Sequence, residues 1–348
     1  MPGRHRGSPE RRAKRIETRF LAYETIWVGQ ENSQHCRLPY NVYSLKVAAL
    51  ITTYNSGAFI STALSSVLTQ SPPVDEIIIV DDGSTDNSVS VAAGCLETCE
   101  IPFEILELPH TGSVSIARNL GLTVATSDLV AFLDADDHWG QGKLRWALSR
   151  FRGDPRIVLA YHSMMLDKQV GFVTPRRKLR SGRAPKTRDQ LFTRGPNIPL
   201  SSCVVRRDAA LSVGGFAEDL TIAEDLDLWF RLLQGDGRFV RSRRCLGSYA
   251  VRAGSVSEGT PTGLAIELLP KRWGFEPPLP WWVYVNQGER AQRQGRGRDA
   301  RAFYRDGLLK SRRTPRGISV LVLKWLYCAV ASASRAFQNR TNVREHVT

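Results

Sequence analysis

The stretch VAFLDADDHW, residues 130–139, decides how the chain reads. The apolar run Leu129 to Leu133 stops abruptly at Asp134, Asp136 and Asp137. A short apolar run so sharply bounded predicts a buried strand. The three carboxylates at its end fall within four residues. Packed this tightly they repel one another unless a divalent cation or a cationic ligand compensates them. Donors that are all oxygen favour a hard metal, Mg2+ or Mn2+, held by one or two carboxylates and completed by substrate phosphates. The competing reading is an acidic loop after a strand, and the surrounding chain has to decide between them.

Upstream, VAALIT (Val47 to Thr52) is another apolar run of strand length, followed by TYNSG. Ala58 to Thr69 has helical spacing, with Phe59, Ala63, Leu64, Val67 and Leu68 on one side. EIIIVDDGS is a second apolar strand, ending in Asp81 and Asp82; a helix, the strand FEILEL and a helix from Ser113 to Ala125 lead back to the DADD stretch. Continuous apolar strands alternating with helices predict an α/β fold whose parallel sheet is buried on both faces. Such sheets bind ligands outside the carboxyl ends of their strands. Thr52, Tyr54, Asp81, Asp82, Asp134 and Asp136 lie at those ends. No GxGxxG follows the first strand and no Walker A motif is present, which disfavours dinucleotide and P-loop sites.

Downstream, residues 166–197 are polar, basic and punctuated by Pro and Gly, too long for a routine connector. LSSCVVRRDAALSVGGF then reads as a strand and a helix ending at Gly214 and Gly215. AEDLDLWFRLL follows as a helix with Leu226, Phe230 and Leu233 on one face. The expected organisation is a basic, disordered extension over 1–44, a catalytic domain over 45–262 and a basic helical tail over 263–348.

Six blocks in this order carry a resemblance: VAALITTYNSGAFISTALSSVLTQ, EIIIVDDGSTDNS, SIARNLGLTVATSDLVAFLDADDHW, LSSCVVRRDAALSVGGF, AEDLDLWFRL and YAVRAGSVS. Over residues 47–257 the chain resembles an inverting, DxD-containing glycosyltransferase of the GT-A fold, family 2. The resemblance implies a Rossmann-like, mostly parallel central sheet flanked by helices. It also implies a nucleoside diphosphate sugar as donor, a UDP-sugar foremost, and Mg2+ or Mn2+ as cofactor. The acceptor would be a glycan or lipid-linked hydroxyl in cell-envelope, exopolysaccharide or glycan synthesis. Residue by residue, Thr52, Tyr54 and Asp82 would hold the base and ribose, and Arg118 and Asn119 would lie near the nucleotide or the sugar. Asp134 would face ribose or sugar, Asp136 would ligate the metal, and Glu224 and Asp225 would form the acidic pair, with Asp225 as catalytic base. Relatives often carry a His where this chain has Arg252. A guanidinium cannot ligate a metal, so Arg252 reads as a diphosphate contact and Asp136 as the one protein ligand named.

Structural readings compete at several of these positions. Asp82 suits a turn before Gly83-Ser84, Asp225 suits a helix N-cap, Arg118 could pair with a carboxylate, and Trp139 could be core. Two other functional classes also compete: a non-catalytic GT-A-like nucleotide-sugar-binding protein, and a sugar nucleotidyltransferase. The latter lacks its Gly-rich basic loop after the first strand.

Net charge is +14, unevenly distributed: +5 over residues 1–46, −2 over 47–270 and +11 over 271–348. Basic tails on a near-neutral centre suit an anionic surface. An anionic membrane is favoured, with no nucleic acid expected, because the tail also holds the apolar run Gly317–Ser334. That run is 18 residues long with Lys324 inside it, at the lower limit for a span, and a central Lys costs about 2.5–3.5 kcal/mol, so a helix packed on the catalytic domain or lying in the membrane interface is expected instead of a span. The six cysteines show no CxxC or zinc spacing, as in a reducing compartment. The polar, Arg-rich start lacks an apolar signal core. The expected location is cytoplasmic, peripheral on the inner face of the cell membrane.

Overall fold

A computed structural model describes residues 45–168, 177–179, 183–194, 198–251, 269–275, 278–311, 317–326 and 328. The expected extension 1–44, Arg252 and most of the run after Leu326 lie outside the described residues.

The chain divides into two compact units, Met1–Ala184 with Asn197–Arg252, and Pro185–Pro196 with Ala253–Thr348. The first unit is built on β1 (Val47–Thr53), β2 (Glu76–Asp81), β3 (Phe103–Glu107) and β4 (Leu129–Asp134), all parallel, in the order β3-β2-β1-β4. Their apolar residues alternate between two buried faces. Ala49, Ile51, Ile77, Ile79, Ala131 and Leu133 share a core with Ala63, Leu64 and Val67 of α1 (Ile60–Leu68) and with Ala92 and Leu96 of α2 (Ser88–Leu96). On the other face, α3 (Val114–Val124) covers the sheet so closely that a Cβ on Gly121 would meet the Leu50 side chain at 2.1 Å. Burial on both faces is why these strands read as unbroken apolar runs.

The other half of the sheet is mixed. β8 (Val204–Arg206) runs antiparallel to β4 and to β6 (Ile157–Lys168), while β9 (Arg238–Val251) runs parallel to β6. β5 (His138–Trp139) and β7 (Arg177–Leu179) add antiparallel edges, making nine strands. Strand direction therefore changes beyond β4, a feature that the apolar runs alone do not encode. Around this half lie α4 (Lys143–Gly153), α6 (Arg207–Ser212) and α7 (Glu224–Leu232). In α7, Leu226 and Phe230 are buried as their spacing predicts, but so are Glu224, Asp227, Leu228 and Trp229.

The second unit contains α5 (Arg188–Arg194), α8 (Trp281–Arg293), α9 (Gly297–Lys310) and a helix over 317–326, here α10. Its core is aromatic. Phe192 stacks on Phe275 with centroids 3.9 Å apart and meets Trp273 and Trp282 edge-on. The Trp282 indole donates to the Phe192 carbonyl. The described parts of 166–197 are thus the end of β6, the short strand β7, an irregular stretch over 183–187 and the packed helix α5, where the sequence reads as a long loop. Among the described residues no helix is long and apolar enough to cross a membrane.

Candidate active site

The parallel register sets the first layer of the site. Thr52 faces Asp134 across β1 and β4, and Thr53 faces Asp81 across β1 and β2. The turns that follow are laced together. Asn55 donates its N–H to Ser84 Oγ at 2.8 Å and accepts from the Thr85 N–H at 2.9 Å, while Gly57 donates to Asp86 at 2.9 Å. Asp81 accepts from the N–H of Ser84 at 2.8 Å and so closes its own turn.

Asp82 is buried and turned to the loop after β3. Its Oδ1 accepts from the Thr111 N–H at 2.8 Å and the Thr111 hydroxyl at 2.6 Å. Its Oδ2 accepts from the Gly112 N–H at 3.1 Å and lies 3.1 Å from His110 Nδ1. A carboxylate offers about four acceptor positions; hydrogen bonds from this loop occupy three of them, while His110 Nδ1 makes its hydrogen bond with the Asp82 backbone carbonyl at 2.8 Å. Gly83 makes the approach possible. It sits at φ +72°, and a Cβ there would meet the His110 N at 2.5 Å. Tyr54, 47% exposed, stacks on His110 with centroids 4.3 Å apart and planes 15° apart. Sequence reasoning missed His110; its only signal was its position five residues before the SIARN block.

Arg118 is the junction of the site. Its guanidinium is buried, donating from Nη1 to Glu224 Oε1 at 2.5 Å and from Nη2 to Asp134 Oδ1 at 2.9 Å. Asp134 Oδ1 also lies 3.5 Å from the Thr52 hydroxyl. The Phe216 ring packs against the guanidinium at 5.4 Å. Burial opposes the charge, but the two carboxylates more than offset it and hold the guanidinium above its usual range. Two acidic motifs about ninety positions apart in sequence therefore share one cation. The neighbouring Asn119 is used differently. Its amide donates to the Phe216 carbonyl and Glu218 and accepts from the Phe216 N–H, bolting α3 to the turn after Gly214-Gly215.

Asp225 follows Glu224 at the start of α7, after Ala223 in the left-handed region at φ +62°. A β-carbon is disfavoured there, and such positions cluster at functional sites. The Leu226 N–H donates to Asp225 Oδ1 at 2.6 Å, a contact between adjacent residues inside the first turn; Ala223, not Asp225, occupies the N-cap position. Burial, reinforced by the charge of Glu224, pushes the Asp225 carboxyl up to about 7. The helix dipole acts in the opposite direction and loses to desolvation.

Asp134 and Asp136 are half-buried, whereas Asp137 is buried and accepts the Ala250 N–H at 2.9 Å. Burial, then the charges of Asp134 and Asp136, pushes the Asp137 carboxyl well above the usual range. The turn thus carries an excess of negative charge that a cation would relieve. Behind it, Ser201 Oγ accepts the Asp134 N–H at 3.1 Å, and the Ser201 carbonyl accepts from Lys143 Nζ at 2.7 Å. Lys143 is fully buried, with its ammonium 4.0 Å from the Trp139 ring centroid. Trp139 is core: its indole donates to the Phe132 carbonyl and its N–H to Ser66 Oγ. Neither Ser201 nor Lys143 was singled out from sequence, because nothing local marks a serine 67 residues away as a support for Asp134.

Against known proteins, the family model for glycosyl transferase family 2 matches residues 48–213. These residues form a glycosyltransferase family 2 domain. The chain is 33% identical over 154 residues to an uncharacterized glycosyltransferase, alr2836, of Nostoc sp., covering 44% of this chain and 43% of that protein. It is 28% identical over 211 residues to the putative teichuronic acid biosynthesis glycosyltransferase TuaG of Bacillus subtilis, covering 61% and 81%. With the first three curated relatives the alignments span only 26–61% of their lengths. The mannosyltransferase PcManGT from Pyrobaculum calidifontis, solved with GDP-Man and Mn2+, superimposes with a TM-score of 0.55 at 17% identity, over 94% of this chain and 92% of that one. That likeness establishes the GT-A fold for the glycosyltransferase domain.

Proposed function

We propose that this protein is an inverting, metal-dependent glycosyltransferase that moves a sugar from a nucleoside diphosphate sugar, a UDP-sugar foremost, to an acceptor hydroxyl. The observation that carries this reading is the convergence at Arg118. One buried guanidinium joins Asp134 of DAD to Glu224 of the acidic pair, beside an Asp225 carboxyl pushed up to about 7. A general base works best with a pKa near the working pH. In this role Asp225 takes the acceptor proton, the acceptor oxygen attacks the anomeric carbon, and the bond to the diphosphate oxygen breaks with its electron pair. One base directing one in-line attack inverts the anomeric centre, the logic of inverting glycosidases. Thr52, Tyr54 and Asp134 would line the donor site, with Asp82 acting through the 110–112 loop that it holds. Glu224 and Arg118 would fix the distance between donor and base. Arg252 would contact the diphosphate.

Asp136, with Asp134 beside it, would hold the Mg2+ or Mn2+. Among the described residues no three acidic, His or Cys side chains are grouped to enclose a cation. The set therefore suits the hard-metal arrangement of one or two carboxylates completed by phosphate oxygens. Bound there, the cation would stabilise the charge developing on the diphosphate. Relatives such as TuaG, named for teichuronic acid biosynthesis, favour a polysaccharide acceptor.

The test is product release from a panel of sugar nucleotides with Mn2+ and an acceptor. A transferase frees nucleoside diphosphate, a nucleotidyltransferase frees pyrophosphate, and a non-catalytic binding protein frees neither. Asp136→Ala should abolish metal-dependent turnover. Asp225→Asn should slow transfer by roughly 10^2 to 10^4 with little change in donor affinity. Full turnover in excess chelator would sink the metal role.

A further inference from the structure

Helix α10 has two faces put to opposite uses. On one side, Gly317 abuts the Trp281 ring, the Leu321 methyls press on Gly307, and Leu321 is 1% exposed. Lys324, on the same side, pairs with Glu289, and Gln292 donates to the buried, helical Cys328. The lysine that interrupts the apolar run is therefore turned inward and neutralised. On the other side Ile318, Val322, Leu323 and Leu326 are 42%, 37%, 67% and 47% exposed. At about 100° per residue these four fall within one stripe, opposite Gly317, Leu321, Lys324 and Cys328. None of the four belongs to the buried side chains among the described residues.

The sequence around α10 is basic and nothing else. From Gly307 to Arg344 there are eight Lys/Arg and no Asp/Glu, with Arg312, Arg313 and Arg316 directly before the helix. An exposed apolar stripe next to a stretch of sequence rich in arginine and free of acidic residues combines the two signals that stable attachment to a bilayer surface requires. A second copy of the chain suits the stripe poorly, because it would bring one strongly basic tail against another.

We propose that α10 is a docking surface for an anionic lipid bilayer. The Ile318–Leu326 stripe enters the boundary between headgroups and acyl chains, and the preceding arginines engage the headgroup phosphates. The helix lies in the interface and does not span it. This proposal is independent of the catalytic reading, and its test does not use activity.

The experiment is co-sedimentation of the full chain with vesicles of phosphatidylcholine alone and of phosphatidylcholine with phosphatidylglycerol. Binding should require the anionic lipid and should weaken, without vanishing, at high salt. Leu323→Glu with Leu326→Glu alters exposed positions only, so the circular dichroism and melting temperature should hold while vesicle binding falls about tenfold or more. Arg312→Gln, Arg313→Gln and Arg316→Gln together should remove most of the salt-sensitive part, about fivefold per residue at low salt. Three results would overturn the proposal: no binding to anionic vesicles, equal binding to neutral ones, or full binding by the double-leucine variant. A concentration-dependent dimer dispersed by Leu323→Glu would likewise overturn it, assigning the stripe to a subunit interface.

Discussion

Arg118 and Lys310 each sit within hydrogen-bonding distance of a carboxylate, in different units of the chain, and the two pairings have different consequences. The Arg118 side chain is 6% exposed and serves two acids from distant strands and helices. The Lys310 side chain is 64% exposed and meets Asp306 one helical turn away at 2.9 Å. In water the attraction between such charges is largely cancelled by hydration and salt. In a dry site, removing one partner strands the other, which costs far more than the pair contributes when intact. Charge composition marks the C-terminal unit as the electrostatic part of this protein. The charges that organise chemistry are the few buried ones in the nearly neutral centre.

The sharpest way to break this comparison is Arg118→Met, which keeps the bulk against Phe216 and deletes both ion pairs. It should destabilise the protein by about 3–5 kcal/mol in urea unfolding and abolish transfer. A loss comparable to that of a surface substitution would mean that Glu224 and Asp134 rehydrate freely, and the junction would lose its importance.

Asp225→Asn probes a half-buried carboxyl with no ion pair among the described residues. Because the folded carboxyl titrates near 7, against an ordinary 3.8, the native state keeps a proton that the unfolded chain has released in that window. Stability therefore falls as pH rises from about 4 to about 7. The amide removes that penalty, so the variant should be more stable than the parent at pH 8 by on the order of 1–3 kcal/mol. The difference should vanish near pH 4. Transfer by the parent should rise with pH through about 7 as the base is freed. A pH-independent difference in denaturation midpoints would sink this account.

Lys143→Met is a smaller test of the same idea. Burial pushes this ammonium well below 10.5, so the native state gives up a proton that the unfolded chain keeps. That contribution makes stability rise with pH until the ordinary lysine value is passed. The variant should flatten the slope between pH 8 and 10 while changing stability at neutral pH by about 1–2 kcal/mol, the scale for stranding the Ser201 carbonyl. An unchanged slope in alkaline urea melts would show that the ammonium stays charged. Lys310→Ala closes the series. Its effect on stability should stay within about 0.5 kcal/mol and disappear in high salt. A larger, salt-resistant loss in thermal melts would erase the contrast between the two units.

The parallel half of the fold was legible because its determinants are local. Unbroken apolar runs record burial on both faces, and the sharp stops at Thr52, Asp81 and Asp134 mark the strand ends. The register then carries those residues to one edge without further instruction. The mixed half was not legible in this way. β6 and β9 owe their pairing to partners eighty residues apart, and their directions are set by how the chain returns and not by periodicity. The same limit applies inside the site. DAD and the acidic pair stand out as motifs, yet no spacing announces that Arg118 joins them or that Ser201 and Lys143 support the DADD turn from behind. Likewise, Asp82 is visible as a carboxylate after a strand, but its binding to the 110–112 loop arises only when β2 and β3 lie side by side. The sequence by itself determined which groups are acids and where the strands end, because side-chain chemistry and apolar periodicity act over a few residues. Tertiary structure alone decided which acid is paired, which is buried and which titrates near neutrality, because desolvation and Coulomb interactions depend on distances in space.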